Sequence, residues 1–282
     1  MPIRHISTCL DSAGVEFQED GVVFVTTEPV ILGVCDAFSI PYDRDTPPIF
    51  VPDGNWKKIS TGEMVKLIFC QTLPEVQKND FWATISEIDK KVRELNIRAQ
   101  DQYNLPREPA YSAGMSCVAV RVWPGTIEIF QCGDCIAAWK YKNGEIDYTR
   151  NPVKAASIRL RKAKAQLLKE SDGDVDKARV RFTPLLQEQK NSDTNNEQSS
   201  EGYPSINGSL RIQMCQEVSL PSNEISCLLL CSDGFLPFEC FNDQERINKL
   251  IRNIDCAGLD GHLERILKLQ GEEATAAFIR FE

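Results

Sequence analysis

The sequence predicts an α+β layered sandwich built from two mainly antiparallel sheets flanked by helix pairs. Three observations predict it. Short β-branched runs of strand length come in neighbouring pairs. Asn143-Gly144 joins two of them with residues that tolerate positive φ, a hairpin signal. Helical periodicity falls in separate blocks, so the order is strands, two helices, strands, helices, strands.

The elements follow in order. Val22–Thr27 and Val30–Cys35 read as strands, separated at Glu28-Pro29 because proline cannot donate to a central ladder. Thr61–Thr72 reads as a helix. Asp80–Gln102 reads as another, with Phe81, Ile85, Ile88, Val92 and Leu95 at helical spacing. Strands are predicted at Cys117–Trp123, Thr126–Cys132, Ile136–Lys142 and Glu145–Thr149, and then at Ile225–Cys231 and Thr275–Phe281. Pro152–Glu170 is helical in composition and basic. Asn242, with Glu245 three residues on, resembles a capping box opening a helix through Ile254, and Leu259–Leu269 follows. Asn191–Ser209 is polar and predicts a mobile loop. The chain reads as one domain, residues 1–282, with an irregular insertion at about 150–212.

Composition excludes several classes. Across 282 residues, 32 basic against 41 acidic side chains leave a net charge of −9. A nucleic-acid or anionic-membrane partner needs a basic face, so neither is expected. No apolar run approaches a membrane span, and Met1–Leu10 lacks a signal-peptide core. Eleven cysteines, several inside apolar runs, fit buried thiols in a cytoplasmic protein.

The chemistry lies in the acids. Ile31–Cys35 runs into Asp36-Ala37, Ile225–Cys231 through Ser232 into Asp233-Gly234, and Thr126–Cys132 through Gly133 into Asp134. Glu19-Asp20 and Glu272-Glu273 closely precede two further strands. For any one acid the plainer explanation is a turn preference. Carboxylates converging from five strands would repel one another, and a hard divalent cation relieves that repulsion. Two such ions sharing a carboxylate can activate water and hold a phosphoryl group.

These residues, in this order, resemble the metal-dependent type 2C serine/threonine protein phosphatases. Glu19-Asp20 is similar to the family's early acidic pair, and Val34-Cys35-Asp36-Ala37 to its strand ending in Asp-Gly. Gly114-Met115-Ser116-Cys117, Cys132-Gly133-Asp134-Cys135, Cys231-Ser232-Asp233-Gly234-Phe235 and Gly271-Glu272-Glu273-Ala274-Thr275-Ala276 resemble later motifs. The series spans about residues 14–282.

The resemblance implies a four-layer α/β-β/α sandwich with two Mg²⁺ or Mn²⁺ ions, and room for a third, between the sheets. Asp36 would bridge both ions, and the Ala37 carbonyl would ligate in place of a glycine's. Asp233 and Glu272 would hold one ion, Glu19 and Asp20 waters on the other, and Asp134 with Asp233 would line a third site. Asp36 and Asp233 are the expected catalytic pair. The implied activity is hydrolysis of phosphoserine or phosphothreonine in a phosphorylated protein, with the segment at 150–212 as a variable flap.

Departures keep an alternative open: an inactive, pseudophosphatase-like binding or regulatory module. Glu272 stands for Asp, Ala37 for Gly, Phe38 for a His of some members and Pro237 for an Asp of many. Val15 occupies the place of a phosphate-binding Arg, with Arg4 and Arg44 as candidate substitutes. His5 and His262 are too few for a His-based triad or zinc site. Six basic residues between Lys154 and Lys169 read as a solvated helix face or as an attractant for acidic substrate.

Overall fold

The computed structural model describes residues 3–11, 18–40, 59–236, 240–270 and 273–282. Strands β1 (Ile3–Asp11), β2 (Asp20–Val25) and β3 (Val30–Phe38) come first. Helices α1 (Thr61–Thr72) and α2 (Phe81–Tyr103) follow. Then come β4 (Gly114–Trp123), β5 (Thr126–Cys132), β6 (Ile136–Tyr141) and β7 (Ile146–Tyr148). Helices α3 (Lys154–Glu170) and α4 (Val175–Asp193) precede β8 (Gln216–Pro221) and β9 (Ile225–Cys231). The chain closes with α5 (Gln244–Gln270), two helical segments meeting at Gly258, and β10 (Ala274–Phe281).

Among the described residues the strands form two antiparallel five-stranded sheets, ordered β1-β10-β9-β6-β7 and β2-β3-β4-β5-β8. Alternation along each strand sorts side chains into three cores. Leu32, Val34, Val118, Val120 and Ile129 meet Ala137, Trp139, Leu228, Leu230 and Ile279 between the sheets. The opposite parity of the second sheet, including Ile31, Cys35, Cys117 and Phe130, packs on Phe69, Ile85, Ile88 and Val92 of α1 and α2. Cys227, Leu229, Cys231 and Phe278 of the first sheet pack on Ile247, Ile251 and Ile254 of α5. The α+β, two-sheet architecture is therefore as the sequence predicts, and the thiols in apolar runs are layer-filling residues.

Helix ends explain helix bounds. Ser60 caps α1 by accepting from the Glu63 N–H (3.0 Å), and the Glu63 carboxylate accepts from the Ser60 N–H (3.2 Å). Asp80 caps α2 at the Ala83 N–H (2.6 Å), and Asn104 ends it with φ 52°.

Four expectations change. Asp243, not Asn242, caps α5 through the Arg246 N–H (3.0 Å); Asn242 instead bonds the Asn151 backbone. The turn at 142–145 is longer than two residues, with Gly144 alone at positive φ. The insertion contains a full helix, α4, hidden in sequence by Pro184 and a weak apolar stripe.

The polar segment after α4 is not loose. Asn195 exchanges hydrogen bonds with the Ser205 backbone, and Asn96 of α2 spans the Ala113 and Asn207 carbonyls. Asp89 accepts from the N–H groups of Gly208 and Leu210. Asn and Asp here supply backbone partners that a loop otherwise takes from water. The edge strands β1 and β8 escape the sequence reading because polar residues interrupt them. Among the described residues no helix is long and apolar enough to cross a membrane.

Leu230→Ala empties part of the inter-sheet layer, where Leu230 is fully buried. Urea unfolding should show a loss of about 2–5 kcal/mol. The same test on Val180→Ala, 70% exposed on α4, should show a change within about 0.5 kcal/mol.

Candidate metal centre

The site grows from strand register. In β3, Leu32 and Val34 face the opposing sheet, and Asp36 continues that parity. Its cross-strand partners are Asp20 of β2 and Ser116 of β4. One row thus carries acid, acid and hydroxyl across three strands. Like charges directly opposed in a sheet repel.

Asp134 joins the row from beyond β5. Gly133 turns the chain with φ 76°, directly over Ser116, and a side chain at Gly133 would collide with the Ser116 hydroxyl. That close approach lets Ser116 hydrogen-bond the Asp134 carboxylate.

The opposing sheet supplies the rest. Beyond β9, the Ser232 hydroxyl donates to Asp20 Oδ2 (2.9 Å), and the Ser232 N–H donates to the Thr275 carbonyl of β10 (2.9 Å). Asp233 follows and shares a hydrogen bond with Asp36. Strand geometry on both sheets therefore fixes Asp20, Asp36, Asp134 and Asp233 around the mouth of the inter-sheet layer.

Their protonation reflects crowding. Burial, then the charges of Asp20, Asp233 and Asp134, push Asp36 well above the usual carboxylate range. Burial raises Asp20 to about 6, with the Ser232 hydroxyl opposing. Burial raises Asp134 too, against its bond from Ser116. Glu273 rises to about 7 through burial and the charge of Asp20.

The remaining expected residues are placed differently. The Glu19 carboxylate accepts from the hydroxyls of Ser39 and Ser60, the latter at the N-cap of α1 (2.5 Å), rather than joining the aspartates. Its N–H donates to Glu273 (3.1 Å). Ala37 is buried inside β3, opposite Met115, at an extended φ that any residue adopts. Asp36 likewise lies within β3, not at its end, because the strand runs on to Phe38. Glu272 lies outside the described residues, as do Val15, Arg44 and Pro237.

Sequence reasoning missed Glu273, Lys66 and Lys190. Glu273 was visible only as the neighbour of Glu272. The Lys66 ammonium donates to the Gln18 carbonyl, and its charge opposes the upward shifts of Asp20 and Glu273. Lys190, in the last turn of α4, reaches a cavity of about 260 Å³ that it shares with Asp36, Asp134 and Ser116. Burial lowers it to about 8, against the charge of Glu19.

The donor chemistry suits a hard divalent cation: the clustered groups are all oxygens, repelling one another in a partly dry site. Among the described residues, no three acidic, histidine or cysteine side chains are already arranged to hold an ion. The described aspartates thus fit in chemistry and stand hydrogen-bonded to hydroxyls and to each other.

No protein-family model matches the sequence, and no curated protein matches it. Solved structures do. The catalytic domain of the serine/threonine protein phosphatase PstP, in complex with two manganese ions, is 14% identical with a TM-score of 0.58, over 98% of this chain and 97% of that one. Stp1 of Staphylococcus aureus is 13% identical with a TM-score of 0.56, over 100% and 96%. PstP/Ppp of Mycobacterium tuberculosis is 13% identical with a TM-score of 0.56, over 99% and 98%.

This chain has the serine/threonine phosphatase fold. The likeness drawn from six short motifs thus holds at the level of fold, across the whole chain. On the phosphatase fold described above, the four aspartates gather where the two sheets meet.

Asp20 at about 6 and Glu273 at about 7 hold their protons more tightly folded than unfolded. Protonation therefore favours the fold, and that contribution is lost as pH rises through these values. In EDTA, Tm should fall from about pH 5 to about pH 8. Millimolar Mn²⁺ should flatten the decline, and a Tm rising over that interval in EDTA would contradict these shifts.

Proposed function

We propose that this chain is a metal-dependent phosphoserine/phosphothreonine protein phosphatase. The observation that carries the reading is the cluster of Asp20, Asp36, Asp134 and Asp233 at the junction of two sheets in a phosphatase fold. Such a cluster is unfavourable unless a cation or protons neutralise it.

Asp36 and Asp233 would hold the ions directly, Asp20 and Asp134 would flank them, and Glu272 is carried over from the motif resemblance alone. When bound, Mg²⁺ or Mn²⁺ would lower the pKa of a water and neutralise charge on phosphoryl oxygens. The chain's own residues set the geometry. Ser232 and Ser116 donate to Asp20 and Asp134, fixing which carboxylate oxygens stay free. Glu19 ties the start of β2 to the N-terminus of α1 and so positions Asp20 beside it. We infer that Glu19 supports the ligands and is not one of them. A phosphorylated protein is the proposed substrate, and the cytoplasm the proposed compartment.

A second reading has its own observation. No described trio of acids is arranged to hold an ion, and Glu19 is engaged elsewhere. A pseudophosphatase serving as a binding module fits those two facts. It predicts no Mn²⁺-dependent thermal shift and no turnover.

Asp36→Asn separates the two readings. Hydrolysis of a phosphopeptide and of an aryl phosphate should require Mn²⁺ or Mg²⁺ and fall at least about 100-fold in the variant. The same change removes a carboxyl whose ionisation burial and neighbouring acids oppose, so the variant's Tm in EDTA should exceed the wild type's. Full wild-type activity in EDTA would refute the metal-dependent reading.

A further inference from the structure

A phosphatase must grip a phosphate dianion next to its own acids, and Val15 leaves the familiar arginine position empty of charge. The cation that meets this need comes from the opposite side of the site. The cavity of about 260 Å³ has Asp36, Asp134 and Ser116 on its sheet wall and Gln189, Lys190 and Tyr203 on the wall formed by α4 and the segment after it. It is below the roughly 300 Å³ at which drug-sized ligand pockets begin. That size suits a phosphoryl group whose peptide stays outside.

Lys190 is held in that cavity rather than waving over it. Its ammonium lies 4.1 Å from the centroid of the Phe38 ring, two residues beyond Asp36. The residues on either side of it are pinned. Gln189 donates to the Tyr203 hydroxyl (3.2 Å), and the Asn191 carboxamide accepts from the Ala110 N–H (2.9 Å) and donates to Glu108 (2.8 Å). Asp193 is bonded to Arg159 (2.8 Å). The last turn of α4 is thereby fixed from three directions.

Among the described residues its charge is felt by Glu19 but is not paired. Arg159, Lys177 and Arg181, in the same pair of helices, all form ion pairs. Among the described residues, no carboxylate lies within ion-pair distance of Lys190, although it shares a cavity with two aspartates. A cation seated on an aromatic ring, short of its acidic neighbours, leaves its N–H donors for an arriving anion.

We propose that Lys190 grips the phosphoryl oxygens of the substrate, taking the part that a phosphate-binding arginine would play. This rests on the phosphatase reading and assigns its phosphate contact to the α3–α4 insertion. The substrate class is a phosphomonoester dianion. Inorganic phosphate, the product, would occupy the same place.

The test compares Lys190→Ala, Lys190→Gln and Lys190→Arg with wild type at saturating Mn²⁺. For Lys190→Ala and Lys190→Gln, KM for a phosphopeptide and the inhibition constant of inorganic phosphate should rise together, roughly 10- to 100-fold. The kcat should change less, the Mn²⁺ activation constant should stay put, and Lys190→Arg should recover most of the loss. Unchanged KM and phosphate inhibition in a folded Lys190→Gln would overturn the proposal. So would tighter Mn²⁺ activation with unchanged KM, which would make Lys190 a tethered counter-ion of the aspartates. If the wild type turns nothing over, calorimetric titration of inorganic phosphate with Mn²⁺ present decides separately. Binding lost in Lys190→Ala supports the assignment, and no binding by the wild type refutes it.

Discussion

Asp20 and Asp36 stand opposite each other across two paired strands, on the face that looks toward the second sheet. That register is the constraint around which the site is arranged. A slip of one residue would turn Asp36 into the helix-facing layer and Cys35 toward the other sheet. Both layers are apolar, and the seat of Gly33 resists the slip, because a side chain there would collide with Leu73 and Phe69. The packing that builds the sandwich therefore also forces two carboxylates together, and local chemistry has to accommodate them.

Accommodation comes mainly from hydroxyls. Ser232 and Ser116 each supply one donor to one carboxylate, and Ser39 and Ser60 hold Glu19. Hydroxyls neutralise nothing; they orient. The cations nearby sit at the margins. Lys66 is bonded to a backbone carbonyl, and Lys190 rests on Phe38. The centre thus keeps an excess of acidic groups over cations, with donors aimed so that carboxylate oxygens remain available. An interior assembled for packing alone would pair or omit those acids.

Much of this was legible in the sequence. Strand-length β-branched runs and the periodic helix at 80–102 located the layers, because burial on one or two faces writes a simple period. Asp36, Asp134 and Asp233 were legible because each adjoins such a run. What escaped depended on distant partners. Glu19 reads like a ligand beside Asp20, yet the N-terminus of α1, forty residues on, draws its carboxylate away. Asn195 and Asn207 look like solvated loop residues, and Asp89 like a solvated helix residue, yet they accept from backbone N–H groups of a docked segment. α4 carries too few apolar residues to declare itself, and with it Lys190 went unnoticed. A sequence records which residues are apolar more clearly than which polar group another one will meet.

The position of β2 has a kinetic consequence. It is an edge strand of its sheet, paired among the described residues with β3 alone, through six residues from Asp20 to Val25. One of the four aspartates, Asp20, is thus hung on a strand that can open while the β3–β4–β5 ladders stay closed. Amide protons of β2 belong to the low-free-energy end of the opening spectrum, and those of β4 to the high end. Exchange of whatever neutralises the aspartates can proceed through fraying of one edge, on its own timescale, with the body of the sandwich left folded.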